Sequence, residues 1–266
     1  MVSKQWRLIR SGLGEPAWNM AVDEALAVLH SEEEGRTPVL RLYTWEPPAL
    51  SLGYFQDMSE IDLAALIRLG IVPVKRITGG RAVLHYGDLT YSVVATAGKD
   101  TPEGVVASYR YLCQGLLQAF ADLGIKAELG RAKPSAPAWS EACFATATTS
   151  DITWQGKKFV GSAQKRLGRT LLQHGSILVF PQGQLLTEVF ACEGEAKCRA
   201  LLESTTCLQS ILAKTLTLGE VGEAVIRGFS RALGIQFEED ELNDKERNLA
   251  ASLVPKYELL PILSEF

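Results

Sequence analysis

The sequence predicts an α+β domain built on a mixed, largely antiparallel sheet with flanking helices. Two patterns lead there. Helix-like and strand-like segments follow one another without a regular βαβ rhythm, and Asp151 to Phe180 reads as a run of hairpin-connected strands. The chain has 266 residues, 47% hydrophobic and 22% charged, enough for one large core without disulfides or a metal.

Taken in order, the first element is a helix from Pro16 to about Leu29. Trp18, Val22, Ala25, Leu26 and Leu29 share one face, and proline suits a first turn. Val39 to Trp45 alternates as a half-buried strand and stops before Pro47. Ser59 with Asp62 reads as a capping box for a short helix ending before Gly70. Strands follow at Val72 to Arg76 and at Leu89 to Ala95, the second rich in β-branched and aromatic residues. A longer helix spans Gly104 to Leu123, with Tyr109, Leu112, Cys113, Leu116 and Phe120 at helical spacing and Gly124 at its end. Residues 130–142, rich in Pro, Ala and Ser, read as an irregular loop. In the strand run, Gln155-Gly156 and Leu167-Gly168-Arg169 are the expected turns. From Gly219 the chain reads as helical, over Val221 to Leu233 and Leu242 to Leu253. The expected division is therefore a main domain over residues 1–218 and a helical extension over 219–266 packed on the same unit.

Composition excludes several classes. The net charge is −4, from 27 Lys+Arg against 31 Asp+Glu, which argues against a general nucleic-acid binder. No apolar run reaches the length of a membrane span, and the stretch from Met1 to Trp6 lacks the apolar segment of a secretion signal. Five cysteines, odd in number and irregularly spaced, fit neither a disulfide framework nor a CxxC zinc site. The expectation is a soluble cytoplasmic protein with reduced thiols, no metal, no membrane and no nucleic-acid partner.

Four clusters could carry chemistry. In the first, Arg76 to His85 (RITGGRAVLH), paired glycines permit close backbone approach to a ligand. Arg76 and Arg81 could hold a carbonyl, a phosphate or an acidic partner. The same residues also describe a tight turn flanked by surface arginines, and they form neither a Walker A loop nor a GxGxxG loop. The second is Lys157 to Gln164 (KKFVGSAQ). Regular alternation puts Lys158, Val160 and Ser162 on one strand face, with Phe159 and Gly161 on the other. An inward Lys158 would sit near a reacting carbonyl; an outward one would be solvated. The third places His174 on the same strand face as Leu172 and Ser176, inward as a catalyst or as a satisfied core histidine. The fourth is Cys143, after the Pro-rich loop, either a nucleophile beside an ammonium or an ordinary loop cysteine. Cys113, on an apolar helix face, reads as inert core.

Together, and in this order, these runs resemble the lipoate-protein ligase A and octanoyltransferase superfamily. The carriers are RITGGRAVLH, KFVGSAQKR (Lys158 to Arg166), LQHGSIL (Leu172 to Leu178) and the opening helix PAWNMAVDEAL (Pro16 to Leu26). The likeness covers roughly residues 5–180. It implies a biotin and lipoate protein ligase-like fold, a mixed and largely antiparallel sheet core with flanking helices. It also implies a narrow acyl tunnel walled by Thr78, Gly79 and Gly80 and by Gly161, Ser162 and Ala163, with Arg76, Arg81, His85 and His174 around it.

Within the superfamily, ligases form an acyl-adenylate from ATP, whereas transferases take the acyl group from a thioester through a cysteine. Arg81 stands where ligases usually carry a third glycine, and Cys143-Phe144 resembles the Cys-Phe of cysteine-dependent octanoyltransferases. The resemblance thus implies octanoyl transfer from octanoyl-acyl carrier protein, through Cys143 with Lys158 beside it, to a lysine of lipoyl domains. Acceptors of that kind are the glycine cleavage H protein and the acyltransferase subunits of 2-oxoacid dehydrogenases, and no cofactor is required. An amidotransferase moving octanoyl or lipoyl groups between lipoyl domains, an ATP-dependent ligase and a catalytically silent acyl-binding protein are the alternatives. The residues after the cysteine, Ala145 to Ser150, and the ending Lys256 to Pro261 depart from the family pattern, which bears on acceptor choice.

Overall fold

The computed structural model describes residues 4–59, 61–130, 151–190 and 194–259; Cys143 and the loop expected over 130–142 fall outside them, apart from residue 130. The first half of the chain runs β1 (Lys4–Gly14), α1 (Pro16–Glu32), β2 (Val39–Trp45), β3 (Ala49–Leu52), α2 (Leu63–Leu69), β4 (Val72–Lys75), β5 (Val83–His85), β6 (Asp88–Thr96) and α3 (Val105–Asp122). The second half runs β7 (Glu128–Leu129), β8 (Ile152–Trp154), β9 (Lys157–Leu167), β10 (Thr170–Leu178), α4 (Gly183–Val189), α5 (Glu195–Ser204), α6 (Leu208–Leu212), α7 (Leu218–Leu233), β11 (Ile235–Asp240) and α8 (Asp244–Tyr257).

Eight strands form one sheet in the order β11-β1-β2-β6-β10-β9-β8-β7, and β4-β3-β5 form a second, smaller sheet. In the large sheet β1 runs parallel to both β2 and β11, and every other neighbouring pair is antiparallel. This is the mixed, largely antiparallel α+β core that the sequence predicts. Helices cover both faces. On one, α3 and α7 pack over Tyr91, Phe159 and Ile177, and Phe120 of α3 meets Phe159 edge-to-face at 4.8 Å. On the other, α1 packs with α8 over Ile9, Tyr43, Val94 and Leu172. Covered on both sides, β10 is buried along its whole length, so it carries no outward polar face. The α3–α7 crossing is close because a Cβ on Gly228 would lie 2.3 Å from the Gly115 carbonyl oxygen.

Two local readings change. The N-cap of α2 is Asp62, whose side chain accepts from the Ala65 amide at 2.9 Å; Ser59 instead donates to Asp57 in the preceding turn. The tail is not wholly helical. Between α7 and α8 the chain enters the main sheet as β11, whose mostly exposed, acidic pattern hides its pairing with β1 from a periodicity reading. Capping boxes at Thr217/Glu220 and Asn243/Glu246 start α7 and α8. Glu246, fully buried, also accepts from Arg7 at 2.6 Å and pairs with Arg36 at 3.3 Å, which ties α8 to the sheet edge.

Candidate active site

A cavity with about 400 Å³ of empty space opens between the large sheet and the small one. One wall is the β9–β10 pair, where Gly161 lies opposite Ser176 and Ala163 opposite His174. Small residues on neighbouring strands leave a slot where larger side chains would fill it. The facing wall comes from the small sheet and its loop, through Ser51, Arg76, Gly80, Val83 and His85. Met20 of α1 with Tyr43 and Trp45 of β2 supplies large apolar surface.

The Gly-Gly turn is held by backbone contact. A Cβ on Gly53 would lie 1.8 Å from the Gly80 carbonyl oxygen, so these two segments touch main chain to main chain. The Tyr54 amide donates to Thr78 O at 2.9 Å. Arg76 is 5% exposed, and its guanidinium donates to the carbonyls of Ser51 (2.6 Å), Gly79 (2.9 Å) and Arg81 (2.7 Å). It braces the turn from within, and a carrier or acceptor surface would not meet it. Gly80 lines the slot, whereas Thr78, Gly79 and Arg81 are not among its lining residues.

Two buried carboxylates organise the polar groups. Asp23 of α1 accepts from Arg41 Nη1 (2.8 Å), Tyr43 Oη (2.8 Å), Ser92 Oγ (2.8 Å) and His174 Nδ1 (3.0 Å). Burial works to raise the Asp23 carboxyl, but the His174 hydrogen bond and the Arg41 charge hold it below the ordinary carboxylate range. Desolvation outweighs Asp23 at His174 and lowers the imidazole, so the ring is neutral near pH 7. With Nδ1–H donated to Asp23, Nε2 accepts from Thr78 Oγ1 at 2.6 Å. Asp23 thus reaches through His174 to the Gly-Gly turn. Asp88 holds the second network, accepting from His85 Nδ1 (2.9 Å), Thr90 Oγ1 (3.1 Å) and Ser176 Oγ (2.7 Å). His85 stacks on Trp45 at 3.9 Å and meets Ser51 Oγ through Nε2 at 2.8 Å.

Lys158 is 1% exposed, and its ammonium lies 2.7 Å from Asp151 Oδ1. The strand does not alternate regularly there. The register pairs Ile152 with Val160 but Thr153 with Lys158, so Phe159 is an extra, bulged residue. Phe159 and Val160 both enter the α3-side core, against the alternation that would separate them. The expected placement of Phe159 on the face opposite Val160 fails for this reason. Ser162 belongs to the α3 side, with Oγ 2.8 Å from Tyr91 Oη, and lines the slot along its main chain.

Sequence reasoning missed Met20, Asp23, Arg41, Tyr43, Trp45, Ser51, Val83, Asp88 and Thr90. Most read as helix or strand filler. A signal was available in Asp23 and Arg41, charged residues at positions that the helix and strand patterns place inside. Cys113 is core as expected, its thiol pushed up to about 12 by burial. Among the described residues no cluster of His, Cys, Asp and Glu has a metal-site arrangement, and no helix is long and apolar enough to cross a membrane.

Residues 15–230 match the family model of the lipoyl protein ligase A/B catalytic domain. Curated relatives include the octanoyltransferase LipM of Kyrpidia tusciae, 40% identical over 95% of this chain and 96% of its own. That of Moorella thermoacetica is 39% identical over 97% of both chains. Among solved structures, a lipoate-protein ligase A bound with ATP aligns with a TM-score of 0.80 at 29% identity over 95% of both chains. The bipartite lipoate protein ligase of Thermoplasma acidophilum gives 0.80 at 27% identity, over 95% of this chain and 92% of that one. A slot of small residues between two sheets, the braced Gly-Gly turn and the buried Lys158 thus stand in a chain that belongs to the lipoyl protein ligase A/B catalytic domain family.

Proposed function

We propose that this chain is an octanoyltransferase of lipoate biosynthesis. It takes the octanoyl group of a carrier-protein thioester onto Cys143 and passes it to a lysine of a lipoyl domain. The reading is carried by the slot between Gly161–Ala163 and the Gly80 turn, in a chain whose relatives at about 40% identity bear the octanoyltransferase name. Each buried methylene contributes about 0.8 kcal/mol, so the hydrocarbon chain brings roughly 5 kcal/mol of binding without any polar contact.

In the first half-reaction the Cys143 thiolate attacks the thioester carbonyl, the carbonyl–sulfur bond to the donor breaks, and the donor leaves as a thiol. In the second, the acceptor's amine attacks the enzyme thioester, an amide forms, and the cysteine is regenerated. The exchange of thioester for amide runs downhill, so no nucleotide is consumed. Lys158, oriented by Asp151, stabilises the thiolate and the developing oxyanion. His174, neutral and hydrogen-bonded on both ring nitrogens, and His85, held by Asp88 and Ser51, shape the pocket. Residues 1–218 hold the chemistry, and 219–266 serve as an extension packed on the same unit. A free nucleophilic cysteine among five irregularly spaced cysteines favours a reducing compartment and is in keeping with a cytoplasmic reaction.

A second reading, an ATP-dependent lipoate ligase, is favoured by the likeness to a ligase bound with ATP. Incubation with an apo lipoyl domain separates the readings. Octanoylation from octanoyl-carrier protein without ATP supports the transferase. Octanoylation from free octanoate with an absolute need for ATP supports the ligase. Transfer from an octanoylated lipoyl domain, and not from carrier protein, identifies an amidotransferase.

A further inference from the structure

A thioester donor has two arms, the acyl chain and the thiol that carries it, and the slot accounts for one of them. Along the face of β10 that presents His174 and Ser176 to the slot, the next residue is Leu178, which lines a second groove. Val83 of the slot packs on Leu178 and Cys207 of the groove, so one small apolar partition separates the two spaces. The groove's far side is hydrogen-bonded to the Lys158 peptide, whose carbonyl accepts from the Thr206 amide at 3.0 Å. The two cavities thus flank Lys158 along the strand.

The groove has about 680 Å³ of empty space and a mixed lining. Leu178, Phe180, Leu186 and Leu202 give apolar surface, Thr205 and Thr206 give hydroxyls, and Lys157 stands exposed at its rim. Gln182 is 7% exposed, and its Nε2 donates to Leu84 O at 2.7 Å, which fixes the orientation of the amide. Its Oε1 is buried with no donor among the described residues. A buried acceptor left without a donor costs about 1–3 kcal/mol, and Gln182 is one of the residues that line this groove.

We infer that this groove receives the phosphopantetheine arm of the thioester donor. The inference rests on the octanoyl-transfer reading and names the donor's second binding site. The arm's amide N–H groups match Gln182 Oε1 and the threonine hydroxyls, its gem-dimethyl segment matches the leucine and phenylalanine wall, and its phosphate matches Lys157. An acceptor lysine is the poorer occupant, since its ammonium would meet Lys157, a like charge, on entry.

The test compares enzyme acylation by three donors: octanoyl-4′-phosphopantetheine, octanoyl-pantetheine and octanoyl-N-acetylcysteamine. Wild type should prefer the phosphorylated arm over the unphosphorylated one by about tenfold in kcat/KM, the size of one charge-assisted contact. Lys157→Glu should abolish that preference, and Gln182→Met should reduce the preference for pantetheine over N-acetylcysteamine about fivefold. Lys157 is exposed and its substitution tolerable, so it decides the matter should Gln182→Met fail to fold. Equal use of the three donors by wild type, or preferences unmoved by Lys157→Glu, overturns the inference while leaving octanoyl transfer intact. Acylation by octanoyl-carrier protein but by none of the three overturns the inference alone, and acylation by neither overturns the transfer reading beneath it. The same loss in Lys157→Glu with octanoyl-coenzyme A and octanoyl-carrier protein supports an arm site; loss confined to carrier protein makes Lys157 a protein-surface contact and overturns the arm site.

Discussion

Gly53 makes a strong claim on a single atom. A methyl group there would begin 1.8 Å from the Gly80 carbonyl oxygen, and both atoms' chains are main chain with no side-chain rotamer to yield. In Gly53→Ala the two segments must therefore separate by roughly 1.5 Å to reach ordinary contact, which strains the fold as overpacking does. That movement also stretches the Tyr54 N–H to Thr78 carbonyl bond, now 2.9 Å. Overpacking and one lost hydrogen bond together cost about 2–4 kcal/mol. For a chain of this size that lowers Tm by about 8 °C. Because Gly80 lines the slot, a displaced turn should reduce octanoyl transfer about a hundredfold at a temperature where the variant remains folded. Gly79→Ala is the internal control, since a Cβ there meets nothing within 4 Å, and it should be near neutral. Gly80→Ala should be harmful, because φ is +94° and the methyl would lie 2.9 Å from Arg76 Nη2. Denaturant unfolding and acylation rates of the three variants decide it. Gly53→Ala with wild-type stability and rate, or Gly79→Ala as damaging as Gly53→Ala, refutes the turn-packing account.

Asp23→Asn should cost about 3–5 kcal/mol, since it leaves the fully buried Arg41 without its carboxylate partner and loosens His174; a loss under about 1 kcal/mol by urea unfolding contradicts the hub. Lys158→Ala should lower both stability and turnover, because it leaves Asp151 buried without this partner. Lys158→Met combined with Asp151→Leu should recover much of the stability and none of the turnover, and recovery of both would remove Lys158 from the chemistry. His30 is lowered to about 4, first by desolvation, from an unfolded value of 6.5. Between those values the unfolded chain binds the extra proton, so stability should fall as pH drops from 6.5 toward 4, by about 2 kcal/mol after solvent screening. His30→Asn should flatten that limb, and an unchanged pH profile would show that His30 does not carry it.

The longer elements were legible in the sequence. The helices from Pro16 and Gly104 follow the 3.6 period, and the strand at Leu89 follows from its β-branched and aromatic content. The strand at Val39 is where it was expected, but it is buried on both faces and not half-buried, because helices cover both sides of the sheet. Where local signal and tertiary pairing diverge, reading failed. β11 is mostly exposed and acidic, and its strand state comes from pairing with β1. The bulge at Phe159 has no glycine or proline to announce it, yet it sends Phe159 and Val160 into the same core. At the site, Arg76, Gly80, His85, Gly161, Ser162, Ala163 and His174 do converge on one cavity. The partners that hold them, Asp23, Arg41 and Asp88, lie far off in sequence or inside elements that read as filler, so three-dimensional hydrogen bonding was needed to find them.

The covalent relay is tested most directly by intact mass spectrometry after incubation with octanoyl-carrier protein and no acceptor. The account predicts one octanoyl group per chain, located by peptide mapping on Cys143, labile to hydroxylamine, absent in Cys143→Ser and discharged on addition of an apo lipoyl domain. An unmodified enzyme that still octanoylates the acceptor, or an adduct on another residue, would contradict it.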